Sequence, residues 1–276
     1  MIGPDAARYL HLANGVRVSR PFCWRWVLPK ACGIDMRRWW AVWCVSWPVL
    51  AIGMLSLARQ SQLGWPAALA AAALMLGLPG TIGPRVTVPV GVDLPATALA
   101  VCAAAGFAEG SRSSLVASLL LACTAAAIKE TTPLWAALWA WSPLPLVALV
   151  APAARALWVR WRDLEGPDPL GAQFQQIADR PLRTGWEAHR HHWRDASLHV
   201  APWGVCLAAL WAVDWRLAAV LAAANLQLLV ATDTVRIVHH AAGPAMAVAA
   251  ASVIPTGWLV PAVAAHTFGW YRVERV

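Results

Sequence analysis

The apolar residues of this 276-residue chain come in blocks, not in the short alternations of a soluble core. Several blocks approach the roughly 20 residues that a helix needs to cross a bilayer. Nine can be delimited, at residues 39–58, 65–82, 94–108, 115–128, 134–154, 200–213, 217–231, 241–254 and 258–268. The blocks predict an all-α fold, a polytopic transmembrane helical bundle of about seven to nine spans, because runs of 10–14 residues can be re-entrant. Charged residues make up only 13% of the chain, about half the share usual in a soluble domain. A disordered chain, a secreted disulfide scaffold and an ordinary cytosolic enzyme are all excluded.

Polar stretches divide the blocks. Residues 1–38 read as a basic, aromatic loop segment without the apolar h-region of a signal peptide. Residues 39–154 form a first transmembrane group, 155–199 a polar loop, and 200–276 a second transmembrane group. Residues 80–93 hold Gly83, Pro84, Pro89 and Gly91 and read as a loop. Pro143 and Pro145 should break the fifth block. Within the polar loop, Leu182, Trp186, His189, Trp193 and Val200 make an apolar stripe with Arg183, Arg190 and Arg194 on other faces. That pattern predicts one amphipathic helix in the membrane interface over residues 182–199.

The chain carries 22 Lys and Arg against 14 Asp and Glu, a net charge of +8. Basic residues beside apolar blocks set topology and meet anionic lipid headgroups, so membrane lipids are the expected partners. No helix-turn-helix, zinc-finger or RNA-binding signature accompanies the charge, and nucleic acid is not an expected partner. Charge leaves orientation undecided, since seven basic residues precede residue 39 and seven more lie between Arg155 and Arg194. Many of the nineteen tryptophans stand at block edges, as an anchoring belt requires, with a sugar-stacking platform as the alternative for a few. The six cysteines show no C-x-x-C pair and read as small buried hydrophobes.

Ionisable residues at membrane depth are costly and therefore functional candidates. Lys129 and Glu130 interrupt an apolar run, with a snorkelling pair at a tight hairpin as the alternative. Asp93 opens a block after the loop that holds Arg85, and a helix N-cap is the plainer role for it. Asp233 and Arg236 open another block, where Asp233 can also cap. With five crossings counted before the polar loop, Asp5, Asp93, Lys129 and Glu130 should share one membrane face, and residues 155–199 should lie on the other. Glu187, His191, Asp195 and His199 fall on one helical face, yet no H-E-x-x-H or comparable spacing is present, so no metal site is expected there. His239 and His240 are adjacent, point about 100° apart, and should not share an ion. No P-loop, G-x-G-x-x-G, G-x-S-x-G or kinase signature occurs.

Three short segments, in this order, resemble polytopic bacterial proteins of the GT-C glycosyltransferase type. The first runs from Asp5-Ala6-Ala7-Arg8-Tyr9 to Pro21-Phe22 and on through Arg25 to Leu28-Pro29. The second is Lys129-Glu130 with Pro133, and the third is Asp233 with Arg236 and Pro244 downstream. The resemblance implies a multi-pass enzyme of the bacterial cytoplasmic membrane that takes a sugar from a polyprenyl-phosphate donor. It further implies that Asp5 acts as base toward an extracytoplasmic acceptor, with Lys129 and Glu130 beside it in the catalytic group. Arg25, Arg85, Asp93, Asp233 and Arg236 would bind substrate. No cofactor is called for, and a divalent metal is compatible with these residues. The chemistry suits the residue types: a hydroxyl acceptor needs a carboxylate within hydrogen-bond reach, and a lipid-phosphate leaving group needs cations. The other reading is a non-enzymatic membrane component, a transporter, flippase-like protein or assembly subunit, or else a truncated inactive relative.

Overall fold

The computed structural model describes residues 4–82, 89–172, 175, 179–190, 200–212, 214–230 and 234–268. Among them every named element is a helix, and the only β contact is an isolated bridge between Val18 and Glu165. The all-α expectation holds.

Helix α6 (Asp93–Glu109) is the axis of the bundle and is buried along nearly its whole length. It is apolar all round, as a helix with neighbours on every side must be. α3 (Met36–Gln60) and α7 (Arg112–Ile128) pack on it from two sides, and α4 (Trp65–Gly77) packs on α3. Small residues set the spacing. A Cβ on Gly53 of α3 would come within 2.8 Å of the Cys102 sulfur and 3.0 Å of its backbone nitrogen on α6. Close backbone approach through small residues is how apolar helices associate without a hydrophobic drive between them. The α6–α7 hairpin follows from its link. Gly110 takes the left-handed conformation that closes α6, at φ 76°, and the Ser111 side chain accepts from the Ser114 backbone N–H to open α7.

The fifth apolar block is not one crossing. α8 (Thr132–Ala140) has nine residues, about 13 Å of helix and half a bilayer. It stops at Trp141, which is left-handed at φ 49°. A 3-10 turn (Leu144–Leu149) then runs into α9 (Val150–Trp161), which returns toward the N-terminal segment. The Pro143–Pro145 break is therefore seen, and its consequence reverses the expected topology. Residues 159–168 lie against the N-terminal segment: Leu12, Val18, Cys23 and Val159 share one apolar cluster. Arg20 reaches Glu165 at 2.7 Å, and the Gly166 backbone N–H donates to the Val18 carbonyl. The polar loop thus begins at the same end as Asp5, not at the opposite one.

Residues 1–38, expected as loop, contain α1 (Pro4–Ala13), a 3-10 turn (Phe22–Trp24) and α2 (Val27–Cys32). In the polar loop, α10 (Pro181–His189) leaves Leu182 and Trp186 exposed and ties Arg183 to Glu187 at 2.8 Å. Residues 191–199 of the expected interfacial helix, with His191, Trp193, Asp195 and His199, lie outside the described residues. A 3-10 helix (Ala201–Ala212), α11 (Trp215–Gln227), α12 (Thr234–Val253) and α13 (Leu259–Phe268) close the bundle.

By length and composition, α3 and the Leu144–Trp161 helix are able to cross a membrane. A bent pair, Ile237–Val253 with Thr256–Phe268 at 119°, brings the number to as many as three among the described residues.

Candidate functional site

Four segments distant in sequence meet at one end of this bundle: α1, the turn leading into α2, the start of α6, and the break between α7 and α8. The break is local chemistry. Lys129 ends α7 in an extended conformation, and Thr132 and Pro133 start α8. The two charged residues between the helices diverge to separate partners.

Lys129 does not snorkel. Its Nζ donates to Asp93 Oδ1 at 2.6 Å, and both side chains are less than a tenth exposed. Asp93 is not a helix cap either. Val92 holds the N-cap position of α6 with no side-chain bond, and Asp93 sits in the first turn with its carboxylate turned to Lys129. Glu130 accepts from both Nε and Nη2 of Arg25, the Nε bond being 2.8 Å. This is the two-pronged guanidinium–carboxylate geometry that fixes orientation as well as charge. Burial alone would lower Arg25 and raise Glu130. Their mutual attraction wins in both, so Arg25 is held well above its ordinary pKa and Glu130 below it.

Tyr9 lies at the centre. Its hydroxyl oxygen accepts from Arg25 Nη1 at 3.3 Å, and its ring meets Phe22 edge-on at 5.4 Å between centroids. Burial pushes the phenol pKa up, Arg25 opposes this, and the carboxylates of Asp5 and Asp93 push it further up. Asp5 and Asp93 are therefore both within electrostatic reach of one hydroxyl. Arg8, one helical turn from Asp5, approaches it at 3.4 Å and also donates to Asp168 Oδ2 at 2.8 Å. The Ser19 hydroxyl donates to the same Asp168 oxygen at 2.9 Å. Asp168 clamps the N-terminal segment to the polar loop.

Five of the expected residues, Asp5, Arg25, Asp93, Lys129 and Glu130, are thus brought together. Arg85 and Asp233 lie outside the described residues; Arg236 falls in the first turn of α12, and its side chain is outside them too. Sequence reasoning gave no role to Arg8, Tyr9, Ser19 or Asp168. Arg8 and Tyr9 stood inside the segment that carried the resemblance, whereas Asp168 lies in a Gly166-Pro167-Asp168-Pro169 run whose residue types point to a chain break and to no chemistry.

Among the described residues, three cations (Arg8, Arg25, Lys129) face four carboxylates (Asp5, Asp93, Glu130, Asp168) around this centre. Asp5 is the most exposed of the four, with 29% of its side chain accessible. Among the described residues no three His, Cys, Asp or Glu side chains are grouped as metal ligands. His239 and His240 do face different neighbours: the His239 ring packs against Trp203 at 4.6 Å between centroids, tilted by 60°, and His240 Nδ1 lies 3.0 Å from the Thr97 hydroxyl.

Among its described residues this protein is all-helical, with helices able by length and composition to cross a membrane and a buried ionic centre at one end of its bundle. No protein-family model, curated protein or solved structure matches the chain.

Proposed function

We propose that this chain is a multi-pass enzyme of the bacterial cytoplasmic membrane, of GT-C type, that moves a sugar from a polyprenyl-phosphate donor to an extracytoplasmic hydroxyl. In this reading the shorter apolar helices, among them Trp65–Gly77, Arg112–Ile128 and Pro202–Ala212, complete a bundle of seven to nine crossings or re-entrant segments. α10 lies in the interface with Leu182 and Trp186 toward lipid. One observation carries the proposal. Arg25 donates to the Tyr9 hydroxyl and pairs with Glu130, Lys129 next to Glu130 pairs with Asp93, and Asp5 meets Arg8 on the helix that carries Tyr9.

The chemistry needs two things of these residues. Asp5 takes the proton of the acceptor hydroxyl as its oxygen bonds to the anomeric carbon of the sugar. The bond from that carbon to the phosphate oxygen breaks, and the phosphate leaves on its lipid with the electron pair, its charge met by Lys129 and Arg25. Arg85, Asp93, Asp233 and Arg236 bind the substrates.

The test is sugar transfer from lipid-linked donors by purified protein, with thermal stability recorded alongside. Asp5→Asn keeps the shape of Asp5 but cannot take a proton. It should lower turnover by about 10²–10⁴-fold, the usual effect of losing a general base, with folding intact. Lys129→Ala should weaken donor binding as well as rate, because a phosphate contact exists in ground and transition states alike. Full activity in Asp5→Asn removes the base. A second reading, a non-enzymatic transport or assembly component, is favoured by the mutual pairing of Arg25 with Glu130 and of Lys129 with Asp93. An inactive wild type with every lipid-linked sugar tried selects it.

A further inference from the structure

Arg155 of α9 lies half-buried against the N-terminal segment without the counter-charge that Arg8, Arg25 and Lys129 each have. Its Nη2 donates to the Cys23 carbonyl at 3.2 Å, and its guanidinium lies over the Trp26 ring at 5.3 Å. Its Nε is buried with no hydrogen-bond partner among the described residues. The carboxylates that follow α9 are already taken: Asp163 meets Arg17 at 3.2 Å, and Glu165 meets Arg20 at 2.7 Å. Among the described residues no ion pair reaches Arg155 or Arg162. A guanidinium drawn partly out of water without an anion is costly, and an anion from outside the chain relieves that cost. Around α9, at 100° per residue, exposed Leu157 and Trp161 mark one side. Trp158 and Arg162 come next, then Arg155, and then Val159, which is buried in the cluster it shares with Leu12, Val18 and Cys23. Arg155 and Arg162 therefore stand on the seam between an outward apolar side and the side packed on protein, about 10 Å of helix apart. Arg162 has indoles beside it as well, Trp158 at 5.3 Å and Trp161 at 5.5 Å.

We infer that this seam binds the headgroup of an anionic phospholipid of the surrounding bilayer, its phosphate between Arg155 and Arg162 and its chains along the Leu157 side of α9. The inference rests on the membrane location of the chain and is independent of sugar transfer. Three features select a lipid over a soluble anion. The Leu144–Trp161 helix is long and apolar enough to cross a membrane, the seam lies near its end, and indole rings such as Trp26, Trp158 and Trp161 favour headgroup level. Charge selects an anionic headgroup over a zwitterionic one. Guanidinium groups take phosphate in a two-pronged way, whereas Asp163 and Glu165, tied to Arg17 and Arg20, leave nothing for an ammonium. A lipid seated there touches α9 and Trp26 together, so it joins the returning helix to the segment that carries Arg25.

The probe is dioleoyl phosphatidylglycerol, titrated onto the whole, delipidated protein in a neutral detergent and counted by native mass spectrometry. Dioleoyl phosphatidylcholine is the zwitterionic control, and wild type should bind it about tenfold more weakly, since each cation at the surface contributes on the order of 1 kcal/mol toward an anionic lipid. Arg155→Gln should weaken phosphatidylglycerol about tenfold, as the loss of a charge-assisted contact does, and leave phosphatidylcholine unchanged. Arg162→Gln, at an exposed position, should cost about fivefold and carries the test if the first variant folds poorly. Arg112→Gln, exposed at the start of α7, should change neither affinity. Glycerol phosphate at the concentration of the lipid should not compete. Equal affinity for the two lipids, unchanged phosphatidylglycerol binding in both seam variants, an equal loss in Arg112→Gln, or full competition by glycerol phosphate would each overturn the inference. Lipid counting needs no turnover, so a protein that transfers no sugar can still confirm the seam, and an active one can still refute it.

Discussion

The pair Lys129–Asp93 offers the sharpest energetic prediction. The two charges are 2.6 Å apart, with 9% and 7% of their side chains exposed. Two buried charges gain little over a hydrophobic pair of similar volume, because desolvation offsets their attraction. Removing Asp93 is a different matter, since it strands the Lys129 charge in a low-dielectric site at a cost of about 3–5 kcal/mol. Asp93→Leu should therefore shift the folding equilibrium by about two to nearly four orders of magnitude, and Lys129→Met should also destabilise. The double variant removes both charges and should recover most of the loss, giving a coupling energy of several kcal/mol. The assay is reversible unfolding of the whole protein in mixed micelles titrated with a denaturing detergent, read by tryptophan fluorescence. Single losses under about 1 kcal/mol, or a double variant that costs the sum of the two, would refute a desolvated pair.

Other outcomes follow from the same geometry. Glu130 has a folded pKa below its ordinary value of 4.5, so its contribution is complete above that pH and is lost as pH falls through the lower folded value. Wild type should lose stability in acid, and Glu130→Gln should flatten that slope. Tyr9 has a raised folded pKa, so the folded chain keeps a proton that the unfolded chain releases, and stability should fall as pH rises past about 10; Tyr9→Phe should remove this alkaline limb. Gly53→Ala places a methyl group against Cys102 and should cost roughly 1–3 kcal/mol through overpacking, measured by the same unfolding assay.

What the sequence discloses here divides by range of interaction. Helical class, the α6–α7 link and the break after residue 140 depend on local apolar runs and on Gly110, Ser111 and the prolines, all readable along the chain. Lys129 and Glu130 stand out because charge inside an apolar run is costly wherever it occurs. Their partners do not stand out. Arg25 lies 105 residues from Glu130, and Arg8 lies 160 from Asp168, and nothing in either neighbourhood encodes the pairing. The N-cap reading of Asp93 fails for the same reason: a distant lysine competes for the carboxylate that local rules give to backbone N–H groups. Topology failed at a single residue, Trp141, whose left-handed turn carries no glycine or asparagine signal. One crossing became a return, and with it the polar loop moved to the Asp5 end.

That shared end is open to direct measurement by single-cysteine labelling in a cysteine-free background, using a membrane-impermeant reagent on sealed, oriented vesicles. Asn14 and Asp163 are exposed beside the ionic centre, and Ser113 is exposed at the start of α7, a helix length away. Asn14→Cys and Asp163→Cys should label from one side, and Ser113→Cys from the other. Labelling of Asn14→Cys and Asp163→Cys from opposite sides would contradict the convergence of α1, the α7–α8 break and the polar loop at a single site.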